Sequence, residues 1–471
     1  MAELEKANTI AKQTVEEMAS RLAEPVWLLD NRLAAWEAYY KTPMPSDRDE
    51  GWKRTNVAAL DLSGLQTSNL PAAVPCDNAE KSPAWLKSVF AHFDDNIAGL
   101  LYQNTAEAGF YTVKKELEAR GVIICDIATA VEKHADKIKP YLSSSVNPEE
   151  DGKFGLLSRA LFNCGLFLYI PRGVEISEPF FYAIDFAAAR NSTGVAVMPR
   201  TLVVAEDMSS IKLVYVIHSP EEDESAVKKR PVSLLSQYVE IHVKPSAKVS
   251  FLDVQQANSD LFTVNRSNCL VDRDGRYESL TLALGGCQTK SDMATVLRAP
   301  GASSEVLGVV LGAGEEKYSF NTIQEHAATD TKSDINFRVA LREKSSSVYQ
   351  GIVKVDKVAQ RTDAFQSNKN LLLDGTATAD SIPKLEILAD DVKCAHGATV
   401  GPVDREQIFY LMSRGVSRTT AEQLIVLGFF RQTLERSPFK NALSWLSENI
   451  SRKMHGGRLD SSDGDFFAEP E

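Results

Sequence analysis

One short string gathers more reactive side chains than any other part of the 471-residue chain: Asp390-Asp391-Val392-Lys393-Cys394-Ala395-His396-Gly397-Ala398-Thr399. It holds two carboxylates, a thiol and an imidazole within seven residues. Read as a strand, alternation puts Cys394 and His396 on one face, about 6.5–7 Å apart along it. A neighbouring lysine can lower a thiol's pKa, but the same alternation turns Lys393 to the opposite face. Soft sulfur beside borderline nitrogen suits iron or zinc. Two ligands are too few for a closed site, so a metal there needs ligands from elsewhere or from another chain. The plainer alternative is a packed cysteine in a strand and a histidine bonded to a backbone carbonyl.

Other chemistry is thinner. His326 in QEHAATDTKSD and Cys287 in GGCQTKSD are lesser candidates, each read as a surface or coil-edge residue. The six cysteines are scattered without a CxxC pair, so neither a zinc site nor a ferredoxin-type cluster starts here. No G-x-x-x-x-G-K-[ST], G-x-G-x-x-G, G-x-S-x-G or H-E-x-x-H occurs, and no ATP hydrolysis by this chain is expected.

The 52 basic and 64 acidic side chains give a net charge of −12, which argues against a nucleic-acid binder relying on phosphate neutralisation. Hydrophobic content of 44% supports a sizeable core. No run of about 18 apolar residues crosses a membrane, and the charged first residues lack an apolar signal core. The chain is therefore expected to be cytoplasmic, with reduced thiols.

Three textures must position these residues. Residues 1–150 read as a mostly helical domain. In VWLLDNRLAAWEAYYK, Trp27, Leu28, Leu33, Trp36 and Tyr40 recur at helical spacing, and two more helical segments are expected near 83–96 and 107–120. Residues 151–401 are a succession of short β-branched runs such as RTLVVAED, IKLVYVIHS and SEVLGVVLGAG, with no helix between them. Turn residues return at Ser246-Ala247, Asp274-Gly275 and Gly301-Ala302, then at Ser345 and Gly375. A helix-free repeat of roughly 25–30 residues fits the coils of a β-solenoid, which bury their apolar faces only by stacking. Residues 402–455 return to helix: Asp404 and Ser417 are N-cap residues, Gly415 is a C′ residue, and Pro438 opens a third helix. The apolar surplus around Phe429-Phe430 fits either core or a face for a partner. The acidic tail, 456–471, reads as flexible.

The string SIPKLEILADDVKCAHGATVGPVDREQIFYLMSRGVSRTTAEQLIVLGFF resembles the signature of the SufB/SufD family of iron–sulfur cluster assembly proteins. So do YQGIVKVDKVAQRTDAFQSNKNLLLDGTATADS, SFNTIQEHAATDTKSDINFRVAL and the N-terminal PVWLLDNRLAAWEAYY…DEGWKRTN. Within that family DDVKCAHGATVG is SufD-like. SufB-type chains carry a cysteine just after the LL-stretch, where LLLDGTATADSIP places Ala377.

The resemblance implies a mainly β fold: a right-handed parallel β-helix core with helical N-terminal and C-terminal domains. It implies a non-enzymatic subunit pairing with a SufB-type subunit and a SufC-type ABC ATPase. It places His396, with Cys394 beside it, at a cluster or iron interface, His396 being the metal candidate. It places the ATPase on the C-terminal helices, at Gln407, Phe409, Tyr410, Arg414, Gly415, Ala421 and Phe429. No cofactor is expected to stay on this chain alone; a transient iron–sulfur cluster or iron, and a reduced flavin, belong to the complex. Self-pairing in isolation stays open. The alternatives are a SufB-like scaffold holding the nascent cluster and a β-helical carbohydrate-active enzyme.

Overall fold

The computed structural model describes residues 11–455, except 47, 54, 56, 58–59, 61, 63–64, 68–69, 144–145, 188–193 and 221–229. The acidic tail read over 456–471 lies outside the described residues. The centre is a β-solenoid of about seven turns over residues 179–402. Each coil places one strand in each of two facing sheets. One sheet runs through Ser233–Val243, Leu261–Val271, Gln288–Leu297, Lys317–His326, Ser346–Val355 and Thr378–Ile387. The second runs through Ser210–His218, Lys248–Ala257, Arg276–Gly285, Ser303–Gly312, Lys332–Leu341, Thr362–Leu372 and Val392–Pro402. All these strands pair in parallel. Lys248 lies over Arg276, Arg276 over Ser303 and Ser303 over Lys332, steps of 28, 27 and 29 residues.

The coil corners explain the repeat. Met208, Ser246, Asp274, Gly301, Asp330 and Arg361 all sit at positive φ, between 55° and 77°. Five of them donate a backbone N–H to a carbonyl of the next coil: Met208 to Pro245, Ser246 to Arg273, Asp274 to Pro300, Asp330 to Gln360 and Arg361 to Asp391. The expected turns at Ser246, Asp274 and Gly301 belong to this column. Ser345 and Gly375 do not; the column continues instead through Asp330 and Arg361. Left-handed backbone is unfavourable for these residues. Here the coil-to-coil hydrogen bonds hold it, and Arg361 grips Asp330 with two bonds of 2.6 and 2.5 Å.

Side chains alternate between the lumen and the outer faces. The lumen is packed with Val, Leu, Ile and stacked rings, as where Tyr182 lies 4.7 Å from Tyr215 at an interplanar angle of 10°. Gly308 has no side chain because the Phe337 ring fills its space; a Cβ there would sit 2.3 Å from the ring.

Helices cover both outer faces. Val26–Lys41 packs with Pro148–Leu161 over the first sheet. Leu28 and Trp36 are buried as the spacing predicts, but Tyr40 is 80% exposed. Arg32 takes the inner position instead, bonded twice to Glu24 at 2.7 Å, to the Ala160 carbonyl at 3.0 Å and capped by the Phe162 ring. The segment 107–120 is not the expected helix. Phe110–Val113 is a strand and only Lys115–Ala119 is helical, because Phe-Tyr-Thr-Val favours extended backbone and pairs antiparallel with Gly99–Asn104. Residues before 150 thus also extend both sheets, through Gly99–Asn104 and Ile123–Asp126.

Arg418–Leu434 and Leu443–Met454 pack on the outer face of the second sheet. Arg338 ties down the first, donating to the Phe429 carbonyl at 2.8 Å and to Gln432 at 2.6 Å. Arg436 reaches Glu305 at 2.6 Å and Asp334 at 2.9 Å. Pro438 precedes a 3-10 turn, Lys440–Ala442, and the third helix proper starts at Leu443.

Candidate functional site

At its C-terminal end the solenoid stops without a covering strand. Val392–Pro402 pairs along one side with Thr362–Leu372, and among the described residues nothing pairs with its other side. The contrast in burial follows. Ala364, Gln366 and Asn368 are at most 2% exposed, whereas His396 and Ala398 above them are exposed.

Register places the reactive string. Cys394 lies over Ala364, His396 over Gln366 and Ala398 over Asn368, so Cys394 and His396 share the lumen face of the last coil. Lys393 lies over the exposed Asp363 and points the other way. The alternation drawn from the sequence therefore holds. Cys394 is half-buried against Val353, Val355, Ala359, Ala364 and Ala389. Burial raises its thiol pKa, a backbone hydrogen bond from Ala364 opposes that, and Asp363 adds to it. That thiol is a packing group rather than an activated thiolate. Asp390 and Asp391 occupy the exposed corner leading into the strand, and the Asp391 N–H donates to Gln360 at 2.9 Å. Among the described residues no three His, Cys, Asp or Glu side chains cluster as a metal site.

Sequence reasoning missed Gln366. It is 1% exposed, and neither its carbonyl oxygen nor its amide nitrogen finds a partner among the described residues. Ser381 Oγ, in the last strand of the opposite sheet, is likewise buried without one. The signal was available: Gln366, Asn368 and Asn370 are polar at every second position of a strand whose other face carries Asp363, Phe365 and Lys369.

The lesser candidates resolve as structural groups. His326 is fully buried, not at the surface; its Nδ1 meets Thr331 Oγ1 at 2.7 Å and its Nε2 meets Ser333 Oγ at 2.8 Å. Burial lowers its pKa to about 4, which keeps it neutral. Cys287 donates its thiol to the Leu261 carbonyl at 3.2 Å, and burial pushes its pKa up to about 11.

The first C-terminal helix, Arg405–Ser413, is capped by Asp404, whose carboxylate accepts from the Glu406 N–H at 2.9 Å. Gly415 closes it at φ +90°, and Val416 N–H returns to the Leu411 carbonyl at 3.3 Å. Ser417 then caps Arg418–Leu434 by accepting from Thr420 N–H at 3.1 Å. Gln407, Phe409, Tyr410, Arg414 and Gly415 are all exposed, Phe409 by 72% and Tyr410 by 57%. Ala421 is not presented at all. It is fully buried against Val403 and Ile408, because it faces the crossing of the two helices. Phe429 is half-buried under the Arg338 guanidinium, 4.9 Å from its ring.

The family model described as "SUF system FeS cluster assembly, SufBD core domain" matches residues 187–429, and "SufBD protein N-terminal region" matches residues 12–180. The chain belongs to the SufBD family. Proteins named as iron–sulfur cluster assembly SufBD family members from Staphylococcus saprophyticus, Staphylococcus epidermidis and Staphylococcus aureus are each 28% identical over 460 residues. Those alignments span 95% of this chain and 93% of each relative. The core-domain match runs from the early coils through the open end and the Arg405–Ser413 helix and ends within Arg418–Leu434, so the SufBD signature covers His396 and the Arg405–Ser413 helix together. SufBD membership also sets aside the carbohydrate-active alternative.

Proposed function

We propose that this SufBD-family chain is the SufD-type, non-enzymatic subunit of an iron–sulfur cluster assembly complex. The observation that carries the reading is the uncovered end of the solenoid. An eleven-residue edge strand carries an exposed His396 over a buried, unsatisfied Gln366. Long unpaired edges template pairing with another chain, and a SufB-type chain is the partner proposed here. His396 then supplies one nitrogen ligand or one proton relay for iron or a nascent cluster, with the remaining ligands coming from the partner.

Ala377 supports a helper rather than a self-sufficient scaffold. It stands where SufB-type chains carry their cysteine, and it is buried in the lumen corner at 4% exposure. The exposed Phe409 and Tyr410 support docking of a SufC-type ATPase on the Arg405–Ser413 helix. Alone, the chain is expected to hold no stable cluster and to hydrolyse no ATP.

The test is co-expression with SufB-type and SufC-type chains, followed by cluster transfer to an apo-acceptor. His396→Ala should leave complex formation and unfolding midpoint intact and reduce transfer. Transfer at the native rate would remove His396 from the site.

A further inference from the structure

On the outer face of the first sheet, far along the chain from His396, lies a cleft of about 260 Å³. Its walls are the 3-10 turn Glu50–Trp52 and the helix Pro148–Leu161, which is kinked at Gly152 with φ 63° and ψ 177°. Its floor is three successive strands, contributing Arg266, Asp292 and Asn321.

Apart from Glu149 at the solvent-exposed rim, the charges around the cleft are engaged with one exception. Lys290 is fully buried and its ammonium pairs with Asp292, which also accepts from Asn321 Nδ2 at 2.8 Å. Asp151 holds Arg159 at 3.0 Å and accepts from the Tyr238 hydroxyl at 2.9 Å. Lys153 turns away, donating to the Tyr39 and Thr42 carbonyls at 2.7 Å each. Glu149 is exposed at the rim. Arg266 is the exception. It faces Asp292 across adjacent strands, yet it makes no ion pair or hydrogen bond with any described residue, and its Nε is shut from solvent without an acceptor. A guanidinium with five donors is costly to half-bury unpartnered. Asn321 Oδ1 is also buried, and no donor among the described residues reaches it. The remaining wall is Trp52, stacked on Phe154 at 5.3 Å.

We propose that this cleft binds a tetrahedral oxyanion such as phosphate, free or carried on a small molecule. The planar fork of Arg266 matches two oxygens of an oxyanion. The volume leaves room beside the Trp52 ring for a short apolar or hydroxylated tail.

The experiment is thermal unfolding of the full chain in rising inorganic phosphate, at ionic strength held constant with chloride, with sulfate and glycerol phosphate as parallel arms. Phosphate also stabilises proteins generally by exclusion, so Arg266→Gln is the control. The native chain should show a saturable rise in midpoint with phosphate and with sulfate, since the fork takes either tetrahedral oxyanion. Arg266→Gln should lose the saturable part without lowering the phosphate-free midpoint, because no internal partner is lost. A glycerol phosphate response matching that of phosphate assigns a carried group, and a response to phosphate and sulfate but not to glycerol phosphate assigns the free ion. Equal responses in the native chain and the variant, or no saturable response, would overturn the proposal. So would a lowered phosphate-free midpoint in the variant, which would mean the guanidinium already has its partner within the fold.

Discussion

His396 sits one coil above Gln366, in register on the same sheet face, the first exposed and the second 1% exposed with both amide atoms unpartnered. A buried, unbonded amide is normally avoided because its desolvation is uncompensated. Its position directly under the edge strand ties that cost to the open end of the solenoid rather than to the packed coils.

Gln366→Leu in the isolated chain should therefore raise stability, by about 1–2 kcal/mol, since an apolar group of similar size replaces two unsatisfied atoms. Denaturant midpoints of the two proteins check this. A destabilised variant would mean that the amide is satisfied within the free chain, and the open end would lose its unsatisfied floor.

Three buried groups set a pH optimum. Desolvation raises Asp253 to about 7 and lowers His242 and His326 each to about 4; for His242, Lys244 and Arg298 add to the lowering. Asp253 is raised in the fold, so its stability contribution is present below its unfolded pKa of about 3.9 and is lost as pH rises towards 7. The histidines are depressed, so theirs is present above about 6.5 and lost as pH falls towards 4. Between about pH 4 and 6.5 the unfolded chain binds two more protons at the histidines and one fewer at Asp253. Stability then falls with acid by roughly 1.4 kcal/mol per unit. From about 6.5 to 7 only Asp253 acts, and the slope reverses. Asp253→Asn should abolish the reversal and steepen the acid limb to roughly 2.7 kcal/mol per unit, as read from denaturant midpoints at about pH 5, 6.5 and 8.

The solenoid was legible where its corners use ordinary turn residues. Ser246, Asp274 and Gly301 announce their corner, whereas Asp330 and Arg361 hold the same left-handed backbone through a coil-to-coil hydrogen bond and an ion pair with each other. Those are long-range facts that no local window contains. Phe110–Val113 was hidden for a related reason, since its strand pairing is with Gly99–Asn104 while its neighbours Lys115–Ala119 favour helix. At the site, period-two alternation was enough to put Cys394 and His396 on one face. The isolation of Gln366 was not readable, because it depends on the opposite sheet: its amide nitrogen lies 2.1 Å from where a side chain on Gly351 would begin.

Gly308 offers a direct test of lumen packing. A Cβ at this position would meet the Phe337 ring at 2.3 Å, and that ring also packs against Tyr349 at 5.1 Å and Phe320 at 5.4 Å. Gly308→Ala should cost about 1–3 kcal/mol by overpacking. Adding Phe337→Leu should recover part of it, a coupling that a double-mutant cycle on unfolding midpoints measures. Additive effects would mean that the ring moves aside freely.

The C-terminal helices separate into an anchored one and a presented one, and the two should respond differently to substitution. Arg418–Leu434 is held by Arg338, by Arg436 and by the Thr433 hydroxyl bonded to Asn336 at 2.7 Å. Arg405–Ser413 is held mainly by Ile408 and Leu411 at the helix crossing, leaving Phe409 and Tyr410 in solvent. Phe409→Ala with Tyr410→Ala should shift stability by no more than about 0.5 kcal/mol per site, because exposed rings lose little when truncated. The same pair should abolish capture of a SufC-type ATPase, if that helix is the docking face. Arg338→Ala should do the reverse. It removes two hydrogen bonds and the cover over the Phe429 ring, costs about 2–4 kcal/mol, and exposes Arg418–Leu434 to proteolysis before docking is affected. ATPase capture and limited proteolysis on both variants separate the roles. Capture surviving loss of both aromatic rings would move the docking face off the Arg405–Ser413 helix.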